Sequence, residues 1–151
     1  MTNILIVDDE PDCRAYIELA VKRYGYKPVL CADGATALSL LAAGEPIDAV
    51  IVDLDMPGMD GLEFLMRARQ RMPKLPCIML ADYITIECYL KTMNLGIYEY
   101  LSKPISGNEL KRVITSMFEK GAASSDDRSA RPQQSERYVK YSEDGKSADG
   151  F

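Results

Sequence analysis

The stretch AVIVDLDMPGMDG, Ala49 to Gly61, decides how this chain folds. An unbroken apolar run ends at Asp53, Asp55 follows two residues on, and Pro57, Gly58 and Gly61 then turn the chain. A run without polar alternation fits a strand covered on both faces, as in a parallel sheet. Two carboxylates at the end of such a strand fit either a metal-assisted phosphate site or an ordinary polar strand end. The rest of the chain separates these readings.

Working outward, similar short runs stand at Ile4–Val7, Pro28–Cys31, Cys77–Leu80 and Tyr98–Leu101. Helical patterns with legible starts lie between them. Asp33 precedes GATALSLLAA, Asp60 with Glu63 makes a D-x-x-E start, and Ser106 with Glu109 makes an S-x-x-E capping box. The last helix carries Leu110, Val113, Ile114, Met117 and Phe118 as a stripe at helical spacing. A first helix over Asp12–Tyr24 would turn Tyr16, Ile17, Ala20 and Tyr24 inward. A fourth, around Ile84–Met93, opens on the β-branched Ile84, Thr85 and Ile86, which weakens its signal. Repeated βα units with right-handed crossovers predict a three-layer α/β sandwich. In such sheets function gathers at the carboxyl ends of the strands.

At 151 residues the chain is about one domain long, and 47% hydrophobic with 27% charged residues is a soluble globular composition. A net charge of -5 without a basic run argues against direct nucleic-acid binding. With no histidine in the chain, a histidine triad, a histidine zinc site and a phosphohistidine carrier are excluded, so any such imidazole must come from a partner. The cysteines Cys13, Cys31, Cys77 and Cys88 show no C-x-x-C pairing and read as reduced thiols of a cytoplasmic protein. The start, MTNILIVDDE, is no signal peptide, and no apolar run is long enough for a membrane span. From Gly121 the composition turns small and polar. Residues 121–151 therefore read as a flexible tail or linker after a domain at 1–120, with RYVKYS open to a short strand or docking motif.

The strand ends carry the chemistry. The first ends in Asp8, Asp9 and Glu10, the third in Asp53 with Asp55 beyond, and the fifth leads to Lys103 and Pro104. Converging carboxylates strain a fold unless a cation joins them, and oxygen donors with open water positions suit Mg²⁺. One lysine would complement a phosphoryl group as a point charge. Asp53 is the best nucleophile, forming an acyl phosphate, and Asp9 with Asp8 behind it is the metal holder.

Residues 3–119 resemble the receiver domain of two-component response regulators. ILIVDDE, AVIVDLDMPGMDGLEFL, LPCIMLA and YEYLSKPIS stand in the family's order at compatible spacing. The resemblance implies a flavodoxin-like (βα)5 sandwich with strand order 2-1-3-4-5. It implies phosphoryl transfer to Asp53 from the phosphohistidine of a sensor histidine kinase or phosphotransfer protein. Asp9, Asp53 and the backbone carbonyl of Asp55 would bind Mg²⁺, Asp8 would act through water, and Lys103 would pair with the phosphoryl group. The bond before Pro104 is cis in the family. Modification would shift an equilibrium at the face of the fourth helix, fifth strand and fifth helix, altering binding of a downstream protein. This is phosphoacceptor chemistry and not turnover catalysis.

The match departs after the fourth strand and again before the fifth. The family's Ser or Thr after the fourth strand aligns with Ala81, which has no hydroxyl, and the next position is Asp82, a further negative charge. Tyr100 matches the aromatic partner of that hydroxyl. Losing one charge-assisted hydrogen bond costs about 1.5–3 kcal/mol of differential stabilisation, enough to weaken or alter activation. The usual Gly-Ala pair is Gly96-Ile97. Two other readings stand beside the receiver. A non-phosphorylated pseudo-receiver would act as an interaction module. A haloacid-dehalogenase-like phosphatase shares the D-x-D of VDLDMPG, but there the motif ends the first strand.

Overall fold

The computed structural model describes residues 1–121; the polar 121–151 tail and RYVKYS lie, but for Gly121, outside the described residues. The order is β1 (Asn3–Val7), α1 (Pro11–Arg23), β2 (Lys27–Cys31), α2 (Gly34–Ala42), β3 (Ala49–Asp53), α3 (Gly61–Arg71), β4 (Cys77–Ala81), α4 (Ile86–Asn94), β5 (Glu99–Ser102) and α5 (Gly107–Gly121). The strands pair in parallel in the order β2-β1-β3-β4-β5, the flavodoxin-like arrangement. No helix among the described residues is long and apolar enough to cross a membrane.

Strand pleating sends alternate side chains to opposite faces, and both faces are buried here. Ile4, Ile6, Ala49, Ile51, Ile78, Leu80 and Leu101 pack under Ile17 and Val21 of α1 and Leu110, Val113, Ile114 and Met117 of α5. Leu5, Val7, Val50, Val52, Met79, Ala81 and Tyr100 pack under α2, α3 and α4 through Ala37, Leu41, Phe64, Leu65, Ala68 and Tyr89. That double coverage is why the strands read as bare apolar runs.

The helix starts follow their capping residues. Asp33 accepts from the Thr36 amide, Asp60 from Glu63 and Ser106 from Glu109. In α4 the Thr85 hydroxyl accepts from the Cys88 amide, so the β-branched residues that blurred this start include the cap itself. The inner face of α1 differs from the expectation at one position. Tyr16 is 46% exposed, while Val21 is fully buried. Tyrosine tolerates water at its hydroxyl end, so helical spacing alone did not fix its side.

One side chain joins the C-terminal ends of α3 and α4. The Arg69 guanidinium donates to the carbonyls of Leu95 and Leu75 at 2.6 Å, Gly96 at 3.2 Å and Met72 at 3.3 Å. These are carbonyls left without helical partners after α3 and α4, where a cation also suits the helix dipole.

Candidate functional site

Pleat parity explains why the site assembles. Asp8 follows Ile4 and Ile6, Asp53 follows Ala49 and Ile51, and Lys103 follows Leu101, all on the face covered by α1 and α5. Val7 registers with Val52, which sets Asp8 beside Asp53. Lys103 starts two strands away, about 10 Å at ordinary spacing, and its long stem bridges that gap. Its Nζ donates to Asp53 Oδ2 at 2.8 Å and to Glu10 Oε1 at 2.9 Å, and lies 3.7 Å from Asp8 Oδ2. The bond between Lys103 and Pro104 is cis, as the resemblance implied.

The loop after β3 holds the aspartate in place. The Asp55 amide donates to Asp53 Oδ1 at 3.1 Å. Gly58 turns the chain at φ +76, a left-handed value that favours glycine. Gly61 permits a close approach: a Cβ there would stand 2.6 Å from the Asp53 carbonyl oxygen and 2.8 Å from Leu54 Cα. Gly58 and Gly61 therefore shape the loop.

Around β1, Asp8 is fully buried, and its Oδ1 accepts from the Glu10 amide at 2.9 Å. Arg14 donates to the Asp8 carbonyl at 2.6 Å and ties α1 to this turn. Burial, then a hydrogen bond and the negative charge of Asp8, push the Cys13 thiol up to about 12, so it stays protonated. Burial pushes Asp53 up to about 6, against the lowering pull of Lys103 and the Asp55 amide. Burial alone would lower Lys103, but its hydrogen bonds to Asp53 and Glu10 outweigh that, and its pKa is raised. The lysine is the firmly charged member of the pair.

Asp8 Oδ2 and Asp9 Oδ1 are buried oxygens without hydrogen-bond partners. A salt-bridge distance to Lys103 remains for Asp8, but 3.7 Å is too long for a hydrogen bond. Carboxylate oxygens of Asp8, Glu10 and Asp53 lie within 4.8 Å of one another, close enough to share one cation. Such an all-oxygen set suits a hard divalent ion such as Mg²⁺, and one lysine cannot neutralise it. Asp9, which the sequence marked as the metal holder, is not one of these three, and its Oδ1 is buried without a hydrogen-bond partner. Glu10 belongs to the cluster although sequence reasoning gave it no role.

At the fourth strand, Ala81 is buried on the sheet face that carries Tyr100. Tyr100 is 2% exposed, its hydroxyl is hydrogen-bonded to Thr92 Oγ1, and its ring stacks on Tyr89 with centroids 6.1 Å apart. Burial raises its pKa further. Asp82 is exposed, and its amide donates to the Asp55 carboxylate. Partial desolvation raises Asp55, and the charges of Asp82 and Asp60 add to that. Thr85 is occupied in capping α4.

Residues 4–115 match the response regulator receiver domain family. The chain belongs to that family. This receiver is 37% identical over 112 residues to an NtrX-like protein of Rickettsia bellii, covering 73% of this chain and 23% of that protein. To the regulatory protein AtoC of Escherichia coli it is 32% identical over 114 residues, covering 76% of this chain and 24% of the relative. It thus spans about a quarter of the length of the curated relatives it matches. Among solved structures, the receiver domain of an HD domain-containing protein from Pseudomonas fluorescens aligns with TM-score 0.75 and 30% identity, over 82% of this chain and 98% of the other. The chemotaxis protein CheY4 of Vibrio cholerae aligns with TM-score 0.70 and 28% identity, over 76% and 97%.

Proposed function

We propose that the receiver accepts a phosphoryl group on Asp53 from the phosphohistidine of a sensor histidine kinase or phosphotransfer protein. The observation that carries this reading is Lys103 Nζ at 2.8 Å from Asp53 Oδ2 and 3.7 Å from Asp8 Oδ2, a buried oxygen without a hydrogen-bond partner. Membership of the receiver family supports the same chemistry, and a chain without histidine needs its donor from outside.

In the step, a carboxylate oxygen of Asp53 attacks phosphorus and forms an acyl phosphate. The bond from phosphorus to the donor's imidazole nitrogen breaks, its electron pair stays on that nitrogen, and the nitrogen takes a proton from solvent. Asp53 is suited to attack because its Oδ1 is oriented by the Asp55 amide and its Oδ2 by Lys103. Lys103 then passes its donors to the phosphoryl oxygens as the Asp53 charge is spent. Asp8, Asp9, Asp53 and the Asp55 carbonyl would hold Mg²⁺, which when bound neutralises charge on the transferring oxygens.

Ala81 offers no hydroxyl to the new phosphoryl group, and the Tyr100 hydroxyl is engaged by Thr92. We therefore read the coupling from Asp53 to the face of α4, β5 and α5 as weakened or altered relative to a Ser/Thr–Tyr pair, with a protein partner as the output. The domain is read as residues 1–120, followed by the 121–151 extension.

The test is incubation with acetyl phosphate and Mg²⁺, followed by intact-mass spectrometry of wild type and Asp53→Asn. One phosphoryl adduct on wild type alone is expected. No adduct on either protein favours the pseudo-receiver, and steady hydrolysis of unrelated phosphate esters favours the phosphatase reading.

A further inference from the structure

We propose that Glu10 is a positioning residue that occupies a Lys103 donor needed by the incoming phosphoryl group and so slows modification of Asp53. The inference rests on the phosphoacceptor reading and adds a residue which that reading does not use.

Glu10 is the N-cap residue of α1, yet its side chain makes no capping hydrogen bond. An acceptor at an N-cap ordinarily takes an orphan amide of the first turn. Glu10 forgoes that and places Oε1 2.9 Å from Lys103 Nζ, across 93 residues of sequence. The two partners are unequal: the Lys103 side chain is 9% exposed and that of Glu10 is 61% exposed. Lysine is thus fixed in the pocket, while glutamate reaches in from the rim and is free to swing out.

An ammonium group has three donors. Its two short bonds here both go to carboxylates, Asp53 Oδ2 and Glu10 Oε1. A phosphoryl group on Asp53 needs those same donors. The Glu10 carboxylate therefore stands where a phosphoryl oxygen would be received, and it repels the approaching anion. Its departure is part of the barrier.

The opposing use of Glu10 is as a third cation ligand, since its oxygen lies within 4.8 Å of those of Asp8 and Asp53. The short contact to Lys103 and the exposure of the side chain favour the clamp. The two roles predict opposite results for Glu10→Gln, which keeps the shape and removes the charge. A partly exposed ion pair shifts an equilibrium by about fivefold at most, and salt screens it.

The full chain and its Glu10→Gln variant are compared with acetyl phosphate at saturating Mg²⁺ across a salt series. Mg²⁺ affinity is measured separately by calorimetry without phosphodonor. The variant is expected to label about two- to fivefold faster at low salt, with the ratio falling toward one as salt rises, and to bind Mg²⁺ within about twofold of wild type. Equal or slower labelling of the variant overturns the clamp. Mg²⁺ binding weakened about tenfold or more, the range in which even a hydrogen-bonded partner of a metal ligand is felt, assigns Glu10 to the cation and also overturns it. If neither protein labels, the phosphoacceptor reading fails and takes the clamp with it; if both label at the same rate, the clamp alone fails.

Discussion

Replacing Asp53 with asparagine should stabilise the folded chain at neutral pH, although it removes the residue proposed to do the chemistry. Burial raises the Asp53 carboxyl from 3.8 to about 6. Between those values the folded chain still holds a proton that the unfolded chain has released. Stability therefore falls as pH rises through this window, and at one pKa unit per 1.36 kcal/mol the loss is about 3 kcal/mol. Asparagine carries no charge to desolvate. It can accept from Lys103 or from the Asp55 amide but faces the other with its NH2 group, which returns roughly 1–2 kcal/mol of the gain. The net expectation is about 1–2 kcal/mol of stabilisation at pH 7, roughly 4–8 °C in Tm for a domain of this size. Urea unfolding of both proteins at pH 4 and pH 7 measures it. The variant should be about 1–2 kcal/mol less stable than wild type at pH 4 and more stable by pH 7, and added Mg²⁺ should narrow the neutral-pH gain by stabilising wild type more. A variant less stable than wild type at pH 7, or one with the same difference at both pH values, would refute the reasoning.

Substitutions at three further positions probe the scaffold. Arg69→Met removes the guanidinium from four carbonyls and should cost about 2–4 kcal/mol in urea unfolding; Arg69→Lys, without the planar fork, should recover only part of it. Gly61→Ala drives a Cβ into backbone at 2.6 and 2.8 Å, so it should cost about 1–3 kcal/mol and, by shifting the loop that orients Asp53, slow labelling by acetyl phosphate. Thr92→Val leaves the buried Tyr100 hydroxyl without its Thr92 partner and should cost about 1–2 kcal/mol, with faster hydrogen exchange in α4; unchanged exchange there would mean the pair does not tie α4 to β5.

Much of this molecule is legible from local chemistry. The strand runs are bare because both sheet faces are covered, and Asp33, Asp60 and Ser106 each cap the helix they announce. Asp8, Asp53 and Lys103 were legible as a set because strand ends of one parallel sheet converge, and period-two pleating puts all three on one face. The features that stayed hidden involve partners without a sequence signature. Arg69 binds carbonyls, which every residue has. Glu10 reads as a surface acid at a helix start, and nothing local points to a lysine at position 103. Thr92 and Tyr100 meet only once α4 lies over β5. Tyr16 fell on the wrong side of α1 because an amphipathic ring fits helical spacing on either face.

The central claim is that Asp53 itself becomes an acyl phosphate. The most direct measurement treats the chain with acetyl phosphate and Mg²⁺, reduces it with borohydride, and reads the modified peptide by tandem mass spectrometry. Borohydride converts an aspartyl phosphate to homoserine, and the account predicts homoserine at position 53. Homoserine at Asp8, Asp9 or Asp55, or an unmodified peptide after full exposure to the donor, would contradict it.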